Sequence, residues 1–178
     1  MIVRPAIATD AAEIQAIYAH HVLNGTGTFE ETPPSREQMV QRMADVADRG
    51  LPWIVAEEQG RIAGYAYASP FRLRSAYRFT AEDSVYVAPG EQGRGVGRTA
   101  LAEVVRACEA LGLRQLLAVI GDSSNTASIG VHRSLGFDMI GVSPGLGFKQ
   151  GRFLDVVFMQ KALNGGTQGA PTVPGLLL

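Results

Sequence analysis

The sequence predicts a mixed α/β domain, and three observations carry that expectation. Its apolar residues follow two periods. Ile2–Ile7 and Leu113–Ile120 are short strand-like runs, whereas Ile14, Ile17 and Tyr18, and again Met39, Val40, Met43 and Val46, recur at helical spacing. The two kinds of segment are interleaved along the chain rather than grouped. Finally, 178 residues of 19.0 kDa, 46% hydrophobic and 19% charged, suit one core that buries about 70% of the unfolded surface without a disulfide or metal staple.

Ile2–Ile7 reads as the opening strand. Asp10 and Glu13 form a helix-start signal, since carboxylates accept from unpaired N–H groups of a first turn, and Gly25-Thr26-Gly27 ends that helix after about Asn24. Ser35 with Gln38 opens a second helix, closed at Gly50. Trp53–Glu57 and Ile62–Ala68 are strands joined by a turn at Gln59-Gly60. A loop from Ser69 to Phe79 holds Arg72, Arg74, Tyr77 and Arg78. Thr80–Val87 is a strand stopped by Pro89-Gly90, and a helix from Arg98 to Leu111 follows the glycine-rich stretch after it. Leu113–Ile120 is nearly continuously apolar, as a strand covered on both faces should be. Asn125–Leu135 is a short helix stopped at Gly136, and Phe137–Val142 and Arg152–Gln160 are the last strands. Residues 1–162 make the domain. Residues 163–178 are predicted to be a flexible tail, because six of the fifteen residues from Asn164 onward are Gly or Pro.

Composition narrows the function. Lys plus Arg is 16 against 17 for Asp plus Glu, so no basic excess exists to hold nucleic acid or an anionic membrane. Apolar runs such as Leu116–Ile120 fall far short of a membrane span, and Arg4 and Asp10 interrupt any signal-peptide stretch. Cys108 has no partner for a disulfide within the chain, which suits the cytoplasm, and one cysteine with three histidines gives no expectation of a structural zinc site.

The chemistry concentrates between residues 82 and 98. Glycines at 93, 95 and 97 lie between a strand and a helix, where inward N–H groups and the helix dipole suit a phosphate or pyrophosphate. Arg94 and Arg98 add charge at the rim. The G-x-G-x-G spacing excludes the dinucleotide fingerprint, and Arg98-Thr99 after Gly97 excludes a P-loop. Glycine count alone also allows a plain connection. Glu82 and Asp83 are neighbours in a strand, so they point to opposite faces and only one can readily meet a substrate. By themselves both read as ordinary solvated carboxylates. Arg72 and Arg74 are either a solvated pair or a grip for a planar carboxylate. His20 and His21 read as surface or packing residues, Cys108 as a small core residue, and Trp53 and Tyr65 as sheet packing.

Gln92-Gly93-Arg94-Gly95-Val96-Gly97 resembles the Q/R-x-x-G-x-G/A loop of the GNAT N-acetyltransferase superfamily. Ser84-Val85-Tyr86-Val87 is similar to its pantetheine-pairing strand, and Asn125-x-x-Ser128-x-x-x-His132-x-x-x-Gly136-Phe137 to its second cofactor motif. The resemblance covers roughly residues 1–162. Thr80–Val87, His132–Phe137 and Gly147-Phe148-Lys149-Gln150-Gly151 narrow it to the phosphinothricin and methionine sulfoximine/sulfone acetyltransferases.

This resemblance implies a mixed central sheet flanked by helices, acetyl-CoA as co-substrate and no metal. It implies acetyl transfer to the α-amine of a small amino acid or analogue, by direct attack in a ternary complex. Val85, Tyr86, Val87, Gln92, Gly93, Arg94, Gly95, Val96, Gly97, Arg98, Asn125 and Ser128 would hold the cofactor. Phe29, Arg72, Leu73, Arg74, Tyr77, Glu82, Asp83 and Ser84 would surround the substrate. Glu82 matches the subgroup's general base, able to take the ammonium proton. His132 stands where many superfamily members carry a tyrosine, and a histidine with pKa near 6.5 is a suitable proton donor to the CoA thiolate. Subgroup members also resemble homodimers. The alternatives are another amine acceptor (a polyamine, an aminoglycoside or a protein N-terminus) or a non-catalytic acyl-CoA sensor. Sparse acidic residues near the Arg72 loop count against polycations, and Glu82 counts against a sensor.

Overall fold

The computed structural model describes residues 1–178. In chain order it contains β1 (Ile2–Pro5), α1 (Ala11–Asn24), α2 (Arg36–Asp48), β2 (Trp53–Glu58), β3 (Arg61–Pro70), β4 (Thr80–Val87), α3 (Val96–Ala110), β5 (Gln115–Gly121), α4 (Thr126–Ser134), β6 (Asp138–Lys149) and β7 (Arg152–Ala162). The strands form one sheet ordered β1-β2-β3-β4-β5-β7-β6. Only β4 and β5 run parallel, and α3 supplies the crossover that parallel neighbours need.

Side-chain alternation on β4 sorts the layers. Tyr86 packs edge-on against Tyr18 of α1, with centroids 5.1 Å apart, and Glu82 and Ser84 share its face. Val85 and Val87 lie under α3 on the opposite face: a Cβ at Gly97 would stand only 3.4 and 3.2 Å from their methyls. Hence α1 and α2 cover one side of the sheet, and α3 and α4 the other. Between them Tyr65, Ile14, Leu101, Leu116 and Met159 are fully buried. Trp53 and Tyr65 pack in the sheet as their residue types suggest, with Trp53 stacked on Tyr67 at 4.2 Å and on Tyr65 at 5.8 Å. Cys108 is buried and unpaired in α3.

Helix starts follow the sequence unevenly. Ser35 Oγ accepts from Gln38 N at 3.2 Å while Ser35 N donates to Gln38 Oε1 at 2.8 Å, a reciprocal cap. At α1 the two carboxylates do something else. Asp10 takes two bonds from Arg4 and one from Ile7 N, and Glu13 accepts from Ile62 N at 2.9 Å, so both tie the helix to the sheet instead of capping it.

One expectation needs correction. β6 runs to Lys149, well past Val142, because register shifts after Met139 and after Ser143 absorb Ile140 and then Pro144, Gly145 and Leu146 while pairing to β7 continues. Residues 164–178 form no helix or strand, yet they lie against the body rather than free of it. Arg114 Nε donates to Gly166 O at 2.7 Å, Leu176 N donates to Arg78 O at 2.7 Å, and Leu176 is buried. High Gly and Pro content prevents regular structure, but main-chain carbonyls can still meet arginines and one leucine can still find an apolar seat.

Candidate active site

Pairing between β4 and β5 stops at Asp83 and Ala118. Beyond that point Ser84–Val87 pair only with β3, and Val119–Gly121 only with β7. The sheet therefore splits, and each strand leaves one backbone edge unpaired towards a cleft of about 420 Å³. Residues 83–87 and 118–120 line it, with α4 as one wall and the glycine loop at its mouth.

The loop has the geometry that its glycines suggest. Gly93 and Gly95 have φ of 76° and 81°, in the left-handed region, and Gly95 is the N-cap of α3. That cap starts the helix at Val96, two residues earlier than the sequence pattern indicates. The first N–H groups of α3 have no intrahelical partner and point, with the dipole, to where an anion would sit. Gly97 serves close packing instead, since any side chain there would press on Val85 and Val87.

Val85, Tyr86, Val87, Gln92, Gly93, Gly95, Val96, Gly97, Arg98, Asn125 and Ser128 all line the cleft. Asn125 also caps α4, its Oδ1 accepting from Ser128 N at 3.1 Å. Arg94 is the exception. It turns away to pair with Glu58 at 2.8 Å and with Glu91, so two carboxylates use its charge and Arg98 alone supplies a guanidinium to the cleft.

Sequence reasoning missed several lining residues. Ala118, Val119 and Ile120 belong to an apolar run that reads as core whether or not its edge is paired. His21 also lines the cleft: it packs on Tyr86 and its Nε2 lies 2.8 Å from Val87 O, a partner 66 residues away. Gly27 reaches the cleft because its loop is tied down. Lys149 donates to Gly25 O at 2.8 Å and Thr28 O at 2.7 Å, and Thr26 Oγ1 donates to Asp122. Bonds from Ser124 N and from Arg152 hold the Asp122 carboxyl down at about 2.

The residues assigned to substrate divide between the two faces of β4. Glu82 is half-buried on the α1 face, where burial raises its carboxyl above the ordinary range, Arg72 opposes that shift and Asp83 adds to it. Arg72 stacks on Phe71 at 4.3 Å, and Tyr77 meets the same ring edge-on, while Leu73 and Arg74 are exposed. Leu73 also lines a separate cavity of about 320 Å³ with Trp53 and Tyr67. Phe29 covers Gly121 and Gly147, whose absent side chains leave room for its ring. Ser84 lines the cleft between β4 and β5.

Asp83 corrects the expectation that it faces the acceptor. It is 4% exposed on the α3/α4 face and its Oδ1 lies 2.8 Å from His132 Nε2. His132, only 2% exposed, brings Nδ1 to 2.7 Å from Ser128 O. Burial lowers its pKa, but the bond and charge of Asp83 raise it further, so the net shift is upward from 6.5. With both nitrogens engaged, this is not the freely titrating donor suggested by residue type. No cluster of three or more His, Cys, Asp or Glu side chains stands ready for a metal.

Comparison with known proteins assigns the class to which this split sheet and glycine loop belong. Residues 14–137 match the acetyltransferase (GNAT) family, and the chain belongs to it. It is 54% identical over 162 residues to phosphinothricin N-acetyltransferase of Alcaligenes faecalis, spanning 91% of this chain and 82% of that protein. To L-methionine sulfoximine/L-methionine sulfone acetyltransferase of Salmonella typhimurium it is 36% identical over 164 residues, spanning 92% and 95%. The crystal structure of a phosphinothricin acetyltransferase from Sinorhizobium meliloti in complex with AcCoA is similar with a TM-score of 0.92 at 48% identity, covering 96% of this chain and 92% of that one.

Proposed function

We propose that this chain transfers acetyl from acetyl-CoA to the α-amine of a small amino acid or analogue of the phosphinothricin or methionine sulfone type. The carrying observation is the split between β4 and β5, with an anion-binding loop at its mouth and a half-buried carboxylate, Glu82, on the opposite face of the same strand.

The residues present fit the co-substrate. Inward N–H groups of residues 93–98 and the Arg98 guanidinium suit a pyrophosphate, and the unpaired edge of Ser84–Val87 suits an amide-bearing arm. When bound, acetyl-CoA supplies an acetyl group activated as a thioester. Glu82 accepts the proton of the substrate ammonium, directly or through water, so that the amine nitrogen forms the new C–N bond as the C–S bond breaks. Burial helps here by moving the base towards neutral pH. Attack is direct, and the one thiol, Cys108, forms no acyl-enzyme because it is fully buried in α3 and pushed up to about 12.

Arg72, beside Glu82, and Arg74 on the same turn grip the substrate carboxylate. Loss of a charge-assisted pair costs about 10- to 150-fold, so an amino acid should be turned over at least tenfold better than its decarboxylated amine. Arg72→Ala should erase most of that preference. Equal turnover of the two by the native enzyme would reject the clamp.

The same reading makes the protein a homodimer. Leu146, Phe148 and Phe153 are exposed on the outer hairpin of β6 and β7, and the paired Phe148 and Phe153 rings lie 5.1 Å apart. Light scattering should give twice the 19.0 kDa chain mass, and a monomer at micromolar concentration would contradict it. A cytoplasmic location agrees with the single unpaired Cys108.

A further inference from the structure

Asp83 occupies the vertex of the split. It is the last β4 residue with a partner on β5, and the cleft opens one residue later. The group that it meets, His132, is the one buried residue of α4, the helix that also carries Ser128 on the cleft wall. The contact between them is therefore the main polar tie between this wall and the sheet.

The proton inventory of that contact is constrained. Ser128 O only accepts, so Nδ1 of His132, 2.7 Å away, carries a proton; Ser128 Oγ lies farther from the same nitrogen, at 3.4 Å, and is the weaker contact. A neutral ring would then present a bare Nε2 to Asp83 Oδ1. Their 2.8 Å separation needs one more proton, on the ring or on the carboxyl. Asp83 Oδ2 is buried without a partner and offers no alternative attachment. Loss of the shared proton leaves a carboxylate facing a nitrogen lone pair in the interior.

We propose that Asp83 is a positioning residue that acts through His132, pinning α4 to the vertex of the split sheet, and that removal of the shared proton at alkaline pH loosens this wall. The inference rests on the acetyl-CoA reading only for its consequence, the loss of a well-shaped cofactor wall. Few other groups compete for the proton. Cys108 approaches from α3 but keeps its own proton to about 12, Glu82 lies on the opposite face of β4, and the partners on β3 and β5 are Ala68 and Ala118. Burial raises Asp83, and Asp83 in turn raises His132, so both groups favour keeping the proton. The sign follows: the pin holds below a midpoint lying above 6.5, and fails as pH rises through it.

The test uses protein without any substrate. With only three histidines, the His132 ring resonances can be assigned by their loss in His132→Phe. In the native protein they should titrate with a midpoint above 6.5. Asp83→Asn donates an amide N–H to the bare Nε2, so it should keep α4 protected while moving the midpoint below 6.5. Asp83→Ala should speed amide exchange in α4 by at least about tenfold at neutral pH, the loss of a buried hydrogen bond. The native protein should show the same loosening at alkaline pH, beyond the intrinsic rise in exchange, and Asp83→Asn should not. A native midpoint below 6.5, or equal alkaline loosening in Asp83→Asn, would overturn the proposal. Calorimetry with CoA separates the two readings: failure to bind CoA at any pH removes the acetyl-CoA reading and leaves the pin to be decided by the titration and exchange.

Discussion

Glu82→Gln should lower kcat by about 10²- to 10⁴-fold near neutral pH, the cost of removing a general base. Acetyl-CoA affinity should be unchanged, because Glu82 lies outside the cleft lining. The native enzyme supplies the control in its pH profile. Burial places the Glu82 pKa above its ordinary 4.5, so the native rate should fall as pH drops through that raised value. Glutamine has nothing to protonate, and the residual rate of the variant should lose this acidic limb. Because Asp83 is buried against His132 on the other face, Asp83→Asn should retain turnover at neutral pH. If instead Asp83→Asn were crippled and Glu82→Gln active, the base would be the wrong carboxylate.

Gly95→Val should abolish useful acetyl-CoA binding while leaving the fold intact. Gly95 has φ of 81°, and an L-residue there costs about 1–2 kcal/mol, more for a β-branched one. The easiest escape is to rebuild the loop, which turns its N–H groups away from the anion. A Cβ at Gly95 meets no protein atom within 4 Å, so any side chain projects into open space at the mouth of the cleft. Strain and obstruction together should weaken binding by at least about tenfold. Gly97→Val should act differently, pushing α3 off Val85 and Val87 and costing stability as well. Calorimetry decides the point: native affinity in a folded Gly95→Val protein would remove the loop from the binding site.

Local signals made much of this legible. Glycines at 93, 95 and 97, the Ser35–Gln38 cap and the alternation at Glu82 and Asp83 each report on neighbours within a few residues, and each has its structural counterpart. What escaped depends on distant partners. Leu113–Ile120 is apolar whether its strand edge is paired or open, so the split itself leaves no mark in the sequence. Arg94 looks like a phosphate ligand until Glu58, 36 residues away, is seen to hold it. His132 looks like a free donor until Asp83, 49 residues earlier, occupies its ring. Asp10 and Glu13 satisfy the local rule for a helix start but are drawn off by Arg4 and Ile62. Gly and Pro account for the lack of regular structure after residue 163, and say nothing of where Leu176 can lodge.

Thiol release from acetyl-CoA, followed across a panel of acceptors, tests the central claim most directly. The panel should contain phosphinothricin, methionine sulfoximine, methionine sulfone, their decarboxylated amines, spermidine and an aminoglycoside. The account expects acetyl-CoA-dependent release with the amino-acid acceptors and at least tenfold less with every acceptor that lacks the α-carboxylate. Equal or better turnover of spermidine or the aminoglycoside, or CoA binding with no release for any amino acid, would contradict it.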